Sequence, residues 1–485
     1  MGIRSCGNDY GTLGSARHAW TPAERRSPVT FLVPIALFGW ILVSVVAFLA
    51  TTPQRAVIFV VIAGVLVLPM ASYNWPGIPA YDKTTAIALG LLVARAFSVK
   101  ASAYRLRSSW YDVPVLLWCT LVPLVSALSN SLGIYDGISA MVTNYLGIGV
   151  FFWAGRKYFG DSHSLRVLTT GIMLGGAFYI PLVFFEARMS PQLSNIVYGF
   201  FAHSWIQHLR FGGFRPIVFM QHGLMVAFWM AAATTVTYWM WRTRQIREIW
   251  RVPAGIVFVL LVIATLLSRS VGGWLFLAAG VLSFSWYHHT RSTRLFLLVL
   301  LCVPLYIWFR LSGIISIDQI RPLFAAVLDE ERVSSLVVRL RQEELFGLRA
   351  LERPLFGWGG YGRGWPRDPV TGRLVIAFVD ARWVILLSNR GMFGLVTVFF
   401  TLMSGPWTVL RDYGRAGWRA MADDRCYRID AVVLSLVVVF YTVDSLMNAM
   451  QGQVYFLIAG ALVSHHLHNS RRHGVALAAD TDELT

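Results

Sequence analysis

Phe31 to Ala50 is a run of twenty residues without one charged side chain. At a helical rise of about 1.5 Å per residue, it matches the roughly 30 Å hydrocarbon core of a bilayer. Comparable apolar runs recur at 29–50, 54–72, 84–99, 112–129, 138–157, 165–186, 216–241, 252–268, 271–288, 294–311, 391–410, 430–449 and 452–467. Lipid cannot hydrogen-bond to the backbone, so each run is expected to be a helix that satisfies its own amides. A barrel would show alternating segments of about ten residues instead. Only 14% of the residues are charged, against about 25% in soluble domains, too few to cover a water-facing surface. The expected fold is all-α, a polytopic transmembrane helical bundle of 12–13 helices.

The net charge of +17 raises the question of a nucleic-acid partner. The basic residues sit instead between apolar runs, where they orient a membrane protein, and no soluble domain offers a basic face. No nucleic-acid partner is expected. Arg242, Arg244, Arg247 and Arg251 make one basic connection; Lys100, Arg105 and Arg107 make another, and Arg156, Lys157 and Arg166 a third. Placing these inside leaves 130–137, 187–215 and 312–390 outside. Thirteen spans would then put the basic N-terminus outside; twelve keep both ends inside. The segment 84–99, short and holding Arg95, is the one expected not to cross fully. The domain organisation is a cytoplasmic tail at 1–28, transmembrane helices over 29–311, a large extracytoplasmic loop at 312–390, further helices over 391–467 and a cytoplasmic tail at 468–485. The four cysteines, Cys6, Cys119, Cys302 and Cys426, have neither metal-site nor disulfide-framework spacing.

The stretch 312–379 is the one sizeable polar element. From Ser334 to Leu351, apolar Leu336, Val337, Leu340, Leu345, Leu348 and Leu351 recur at helical spacing among charges. This predicts an amphipathic helix at the membrane–water boundary. Pro354 ends it, and glycines from Gly357 to Gly364 follow.

Several polar residues stand out against this background. Arg210 and Arg215 lie on the outer side, where the positive-inside rule does not itself call for arginine. Their guanidinium forks suit a pyrophosphate, or they are solvated loop charges. Arg269, between two apolar runs, reads equally as a cavity residue or as an arginine snorkelling at a helix end. Asp380, at the boundary where the chain returns to the membrane, is either a general base toward a hydroxyl or an interface charge paired with Arg382 or Arg390. Asp444 and Asn448, one turn apart in an apolar span, are placed to line an interior cavity. His203, His208 and His222 lack zinc-type spacing, and no metal is expected. The glycines at 357–364 lack the strand and helix of a nucleotide loop, so no cofactor is expected.

Three stretches together resemble the O-antigen ligase and polysaccharide polymerase superfamily. The first is Arg210-Phe211-Gly212-Gly213-Phe214-Arg215-Pro216, leading through Gln221-His222-Gly223 into a helix. The second is Leu267-Ser268-Arg269-Ser270 before Gly272-Gly273. The third is the outer loop, with Arg339 and Arg341 on a helix, then Pro354-Leu355-Phe356-Gly357-Trp358-Gly359, then Asn389-Arg390-Gly391-Met392-Phe393-Gly394-Leu395. The resemblance covers about residues 195–400. It implies a membrane-embedded glycosyltransferase of the C-type architecture, working without metal or nucleotide sugar on a polyprenyl-pyrophosphate-linked glycan at the outer face of a bacterial inner membrane. The ligases of this superfamily carry a histidine followed by asparagine where the loop returns. Here that neighbourhood reads Phe378-Val379-Asp380-Ala381-Arg382, and no histidine occurs between His289 and His465.

The departure favours polymerisation of lipid-linked repeat units of an O-antigen or exopolysaccharide. The alternatives are a ligase, which passes glycan to a lipid or protein acceptor, and a transporter or flippase of a lipid-linked glycan. In the enzyme reading, Arg215 and Arg269 stabilise the leaving pyrophosphate, and Asp380, or Glu343 or Glu344, meets the acceptor hydroxyl. Arg210, Arg339, Arg341, His222 and Trp383 complete the expected binding set; Trp358, Tyr361 and Trp365 are either sugar-stacking rings or an interfacial belt. Membrane lipid, a chain-length regulator and export proteins are the expected partners.

Overall fold

The computed structural model describes residues 30–482 apart from 105, 202–207, 291–293, 315–316, 327–329, 361, 368–371, 373, 375–378 and 414–424. The N-terminal tail with Cys6, together with His203, Tyr361 and Phe378, lies outside the described residues. The chain is helical, and among the described residues its three sheets are two-stranded hairpins.

Among the described residues, six helices are long and apolar enough to cross a membrane. They are α1 (Leu32–Ala50), α4 (Trp110–Ser129), α5 (Gly133–Tyr158), α6 (Ser162–Met189), α7 (Gly223–Arg242) and α13 (Arg382–Tyr413). Between and after them run α2 (Pro53–Val67), α3 (Lys83–Phe97), α8 (Ala254–Leu267), α9 (Val271–Thr290), α10 (Arg294–Ser312), α11 (Ile317–Ala325), α12 (Glu330–Leu351), α14 (Arg425–Asp444) and α15 (Gln453–Asp482). The protein is a polytopic helical membrane protein. Helix α1 leaves Ile35, Leu42, Val46 and Leu49 more than half exposed, a face that water would penalise and lipid does not.

Helix α7 is at the centre of the bundle. It is buried nearly throughout, against α8, α9, α6 and α14. Facing protein rather than lipid, it can carry Thr234, Thr235 and Thr237; the Thr234 hydroxyl meets that of Thr265 on α8 at 3.0 Å. Small residues let backbones approach where no hydrophobic force separates helix from lipid. A Cβ on Gly155 of α5 would lie 2.1 Å from the Leu457 carbonyl oxygen of α15, and one on Gly460 would lie 2.0 Å from that of Phe152. Two ion pairs, one buried and one partly buried, tie the basic helix ends together. Arg156 grips Asp112 at 2.7 and 3.0 Å, and Arg166 grips Asp430 at 2.9 Å.

The span expected at 391–410 begins earlier. Helix α13 starts at Arg382 and is interrupted at Gly391, whose φ of 67° and ψ of −170° are not helical. Five of the nine residues ahead of the break, Trp383 to Leu387, are apolar, and they build the core of the loop region: Trp383, Val384 and Leu387 pack with Val303, Phe346 and Ala350.

The Pro354–Gly359 and Ser388–Phe393 stretches of the loop region pair with each other. Trp358 and Gly359 donate to the carbonyls of Ser388 and Asn389 at 2.8 and 3.1 Å, and Met392 and Phe393 donate back to Pro354 and Leu355 at 2.7 and 3.2 Å. A Cβ on Gly391 would lie 2.3 Å from the Leu355 carbonyl carbon. Helix α4 fastens this joint: Ser126 donates to the Phe356 carbonyl at 2.6 Å, and Asn130 donates to that of Gly357 at 2.9 Å. Arg349 and Arg353 stack on Trp358 at 3.8 and 4.5 Å from ring centres. Helix α12 starts at Glu330, and Val333, Leu340, Glu343, Phe346, Gly347 and Ala350 are buried on it. Of the six apolar positions expected to form its face, only Leu340 is buried; Leu345, Leu348 and Leu351 form an exposed apolar edge.

Candidate functional site

The chain ahead of α7 makes a tight hairpin, with Leu209–Arg210 paired to Gly213–Phe214. Phe211 and Gly212 form its turn at φ of 49° and 67°, a pair of positive values that mark the two-residue turns matching strand twist. The Arg215 amide then donates to the His208 carbonyl at 2.7 Å. Beyond it, the Glu186 carboxylate at the end of α6 accepts from the amides of Ile217 and Val218, both at 2.7 Å, and of Leu193 at 2.9 Å. Glu186 thereby pins the segment that carries Arg215.

Arg269 occupies the connection between α8 and α9 with a φ of 49°. Its guanidinium lies over Gly213, where a Cβ would come within 2.1 Å of Nη2. It donates to the carbonyls of Arg210, at 3.0 Å, and Phe211. Arg215 donates from Nη2 to the Arg269 carbonyl at 2.9 Å. The Nε atoms of both Arg215 and Arg269 are buried without a hydrogen-bond partner among the described residues.

These elements frame a cavity of about 640 Å³. Arg210 and Arg215 reach it from the hairpin, Gly272 and Gly273 from the start of α9, Arg339 from α12, and Asp444 and Asn448 from the end of α14. Its remaining wall is apolar, with Phe228, Leu275, Phe276 and Leu336. Three guanidinium groups therefore face one carboxylate. Asn448 Nδ2 donates to Asp444 Oδ1 at 2.9 Å. Arg215 is 7% exposed; burial, then the nearby charges of Arg210 and Arg339, lower its pKa to about 10. Such a site is short of negative charge.

Arg215, expected to be catalytic, and Arg210 and Arg339, expected to bind substrate, thus come together from the hairpin and α12. Arg269 is one layer behind, holding the hairpin. Asp380 does not line the cavity; it is half exposed and pairs with Arg339 at 3.6 Å. Arg341 is exposed on the same helix and outside the lining. His222 caps α7, its Nδ1 accepting from the Leu224 amide at 3.0 Å. Trp383 is 3% exposed, edge-on to Tyr306 at 6.4 Å, so its ring is core and offers no face to a ligand. Glu343 is buried, accepting from Tyr306 Oη at 2.8 Å and Arg310 Nε at 3.4 Å; burial raises its pKa despite those partners. Glu344 is exposed.

Arg382 is a residue whose role the sequence does not signal. It donates to the Tyr441 hydroxyl and to the Met450 carbonyl at 3.0 Å, and its amide donates to the Ser445 carbonyl at 3.0 Å. That set ties the start of α13 to the turn bearing Asp444. Fold and site together define a polytopic helical membrane protein with a cationic, partly apolar cavity at one end of the bundle. No protein-family model matches the chain, and no curated protein matches it.

Proposed function

We propose that the protein polymerises polyprenyl-pyrophosphate-linked oligosaccharide repeat units at the outer face of a bacterial inner membrane, as a glycosyltransferase of the C-type architecture. The observation that carries this reading is the convergence of Arg210, Arg215 and Arg339 on one cavity whose other wall is Phe228, Leu275, Phe276 and Leu336. A pyrophosphate on an isoprenoid chain is a dianionic head on an apolar tail, and it matches both halves of that lining. The guanidinium forks would bind the phosphates and stabilise the charge that develops as the glycosyl bond breaks.

In the reaction, an acceptor hydroxyl oxygen attacks the anomeric carbon of the donor sugar. The bond from that carbon to the pyrophosphate oxygen breaks, the hydroxyl proton passes to a carboxylate, and polyprenyl pyrophosphate leaves. Asp444 lines the cavity, and this favours it over Asp380 as the proton acceptor. Asp380 then serves as a positioning residue for Arg339. The chain is read as twelve or thirteen spans, with α12 and the loop around it on the outer side.

A deletion strain tests the function. It is expected to keep lipid-linked single repeats on the outer leaflet and to lack long polymer. Full-length polymer in the deletion would contradict the proposal, and single units confined to the inner leaflet would identify a flippase instead.

A further inference from the structure

A second cavity lies at the opposite, arginine-rich ends of the helices. It has a volume of about 490 Å³ and opens between α3 and α5, with Arg95, Tyr104, Tyr145 and Lys157 among its lining. Leu91, Leu92 and Val150 make one wall apolar. It adjoins a cavity of about 400 Å³ that shares Tyr104, Lys157 and Tyr158 and adds Arg107 and Asp161. The two form one basic groove along the end of α5.

The charges in this groove are unequal in what they are doing. Arg156 is committed to Asp112 and to the Arg107 carbonyl at 2.9 Å. Asp161 caps α6, accepting from the Ser164 amide at 3.2 Å. Arg95 and Lys157 make no ion pair and no side-chain hydrogen bond among the described residues. Helix α5 widens into a π-helical turn over Tyr145–Gly149 beside them, a distortion that concentrates at functional sites. Tyr145 and Trp153 stand 5.4 Å apart, as do Tyr104 and Tyr158, aromatic pairs of the sort found at headgroup level.

Two cations without a carboxylate share a cavity with an aliphatic wall made by α3 and the membrane-spanning α5. A soluble anion would answer the charge and leave that wall empty. A phosphodiester carrying acyl chains answers both. We propose that this groove is a binding site for the phosphate headgroup of an anionic phospholipid, with Arg95 and Lys157 on the phosphate and the acyl chains along Leu91, Leu92 and Val150.

Native mass spectrometry of the full-length protein in detergent tests this with phosphatidylglycerol and phosphatidylcholine at equal concentration. The wild type is expected to retain phosphatidylglycerol in preference. The double variant Arg95→Gln/Lys157→Gln is expected to lose about tenfold of that preference, and Arg251→Gln, an exposed cation elsewhere, to keep it. Equal retention of the two lipids by the wild type overturns the proposal without reference to any variant. So does an undiminished preference in the double variant, or displacement of the lipid by millimolar inorganic phosphate, which would mark a site for the free anion.

Discussion

Arg269 donates to the carbonyl oxygen of Arg210 at 3.0 Å, across 59 positions of the chain, while its own carbonyl accepts from Arg215 at 2.9 Å. The three arginines are therefore one assembly: Arg269 shapes the hairpin, and Arg210 and Arg215 present their charge to the cavity.

Removing the shaping residue differs from removing a ligand. Arg269→Ala is expected to lower thermal stability by about 1–3 kcal/mol, the cost of stranding the carbonyls it serves, and to abolish activity with it. Arg269→Lys, a point charge without the fork, recovers neither. Thermal melting alongside polymer assays of both variants checks this; a stable, active Arg269→Ala protein would reduce the residue to a snorkelling charge.

Arg215 gives a pH and ligand prediction. Burial lowers its folded-state pKa to about 10, below the ordinary arginine range, so folding disfavours its cation. Below pH 10 the group is protonated in both states and the penalty is constant; stability from this source rises only as pH climbs above about 10 toward the ordinary arginine range. Between pH 6 and 8 it contributes no slope to activity. An anion relieves the same penalty at neutral pH, so inorganic pyrophosphate is expected to raise the melting temperature of the wild type and not of Arg215→Gln. Equal shifts in both would remove Arg215 from the site.

Gly391 closes the joint between loop and membrane. With φ at 67° and the Leu355 carbonyl carbon 2.3 Å from where a Cβ would sit, Gly391→Ala is expected to cost at least about 1–3 kcal/mol. Gly360→Ala, with nothing within 4 Å, is expected to be tolerated. Expression level and melting temperature of the pair read this directly.

The two carboxylates near Arg339 separate by kinetics. Asp444→Asn is expected to reduce the rate by about 10²–10⁴-fold, the range for a lost general base. Asp380→Asn removes an exposed pair worth about 1 kcal/mol or less, a loss of about fivefold. The reverse order would return the catalytic role to Asp380.

Much of the fold was legible because lipid leaves so few choices: a charge-free run such as Phe31–Ala50 has no other stable form than helix. The run at Trp383–Leu387, assigned to the outer loop, is helical and forms the core of that region, which five apolar residues are too few to announce. Arg210 and Arg215 stood out in the sequence because arginine on the outer side needs a reason. Asp444 was legible as an interior polar residue, but not as their neighbour, since its approach depends on how α14 packs against α7. Ser126 gave no signal, and Arg382 one only as a partner for Asp380, because their partners, the Phe356 and Met450 carbonyls and the Tyr441 hydroxyl, are brought near only by the folded backbone.

The most direct measurement of the central claim is polymerisation by the purified protein supplied only with a polyprenyl-pyrophosphate-linked repeat unit. The account predicts a ladder of lipid-linked oligomers with release of polyprenyl pyrophosphate, absent from Arg215→Ala protein that folds normally. A folded wild-type protein that leaves the cognate unit unextended, or an Arg215→Ala protein that extends it at the wild-type rate, would contradict it.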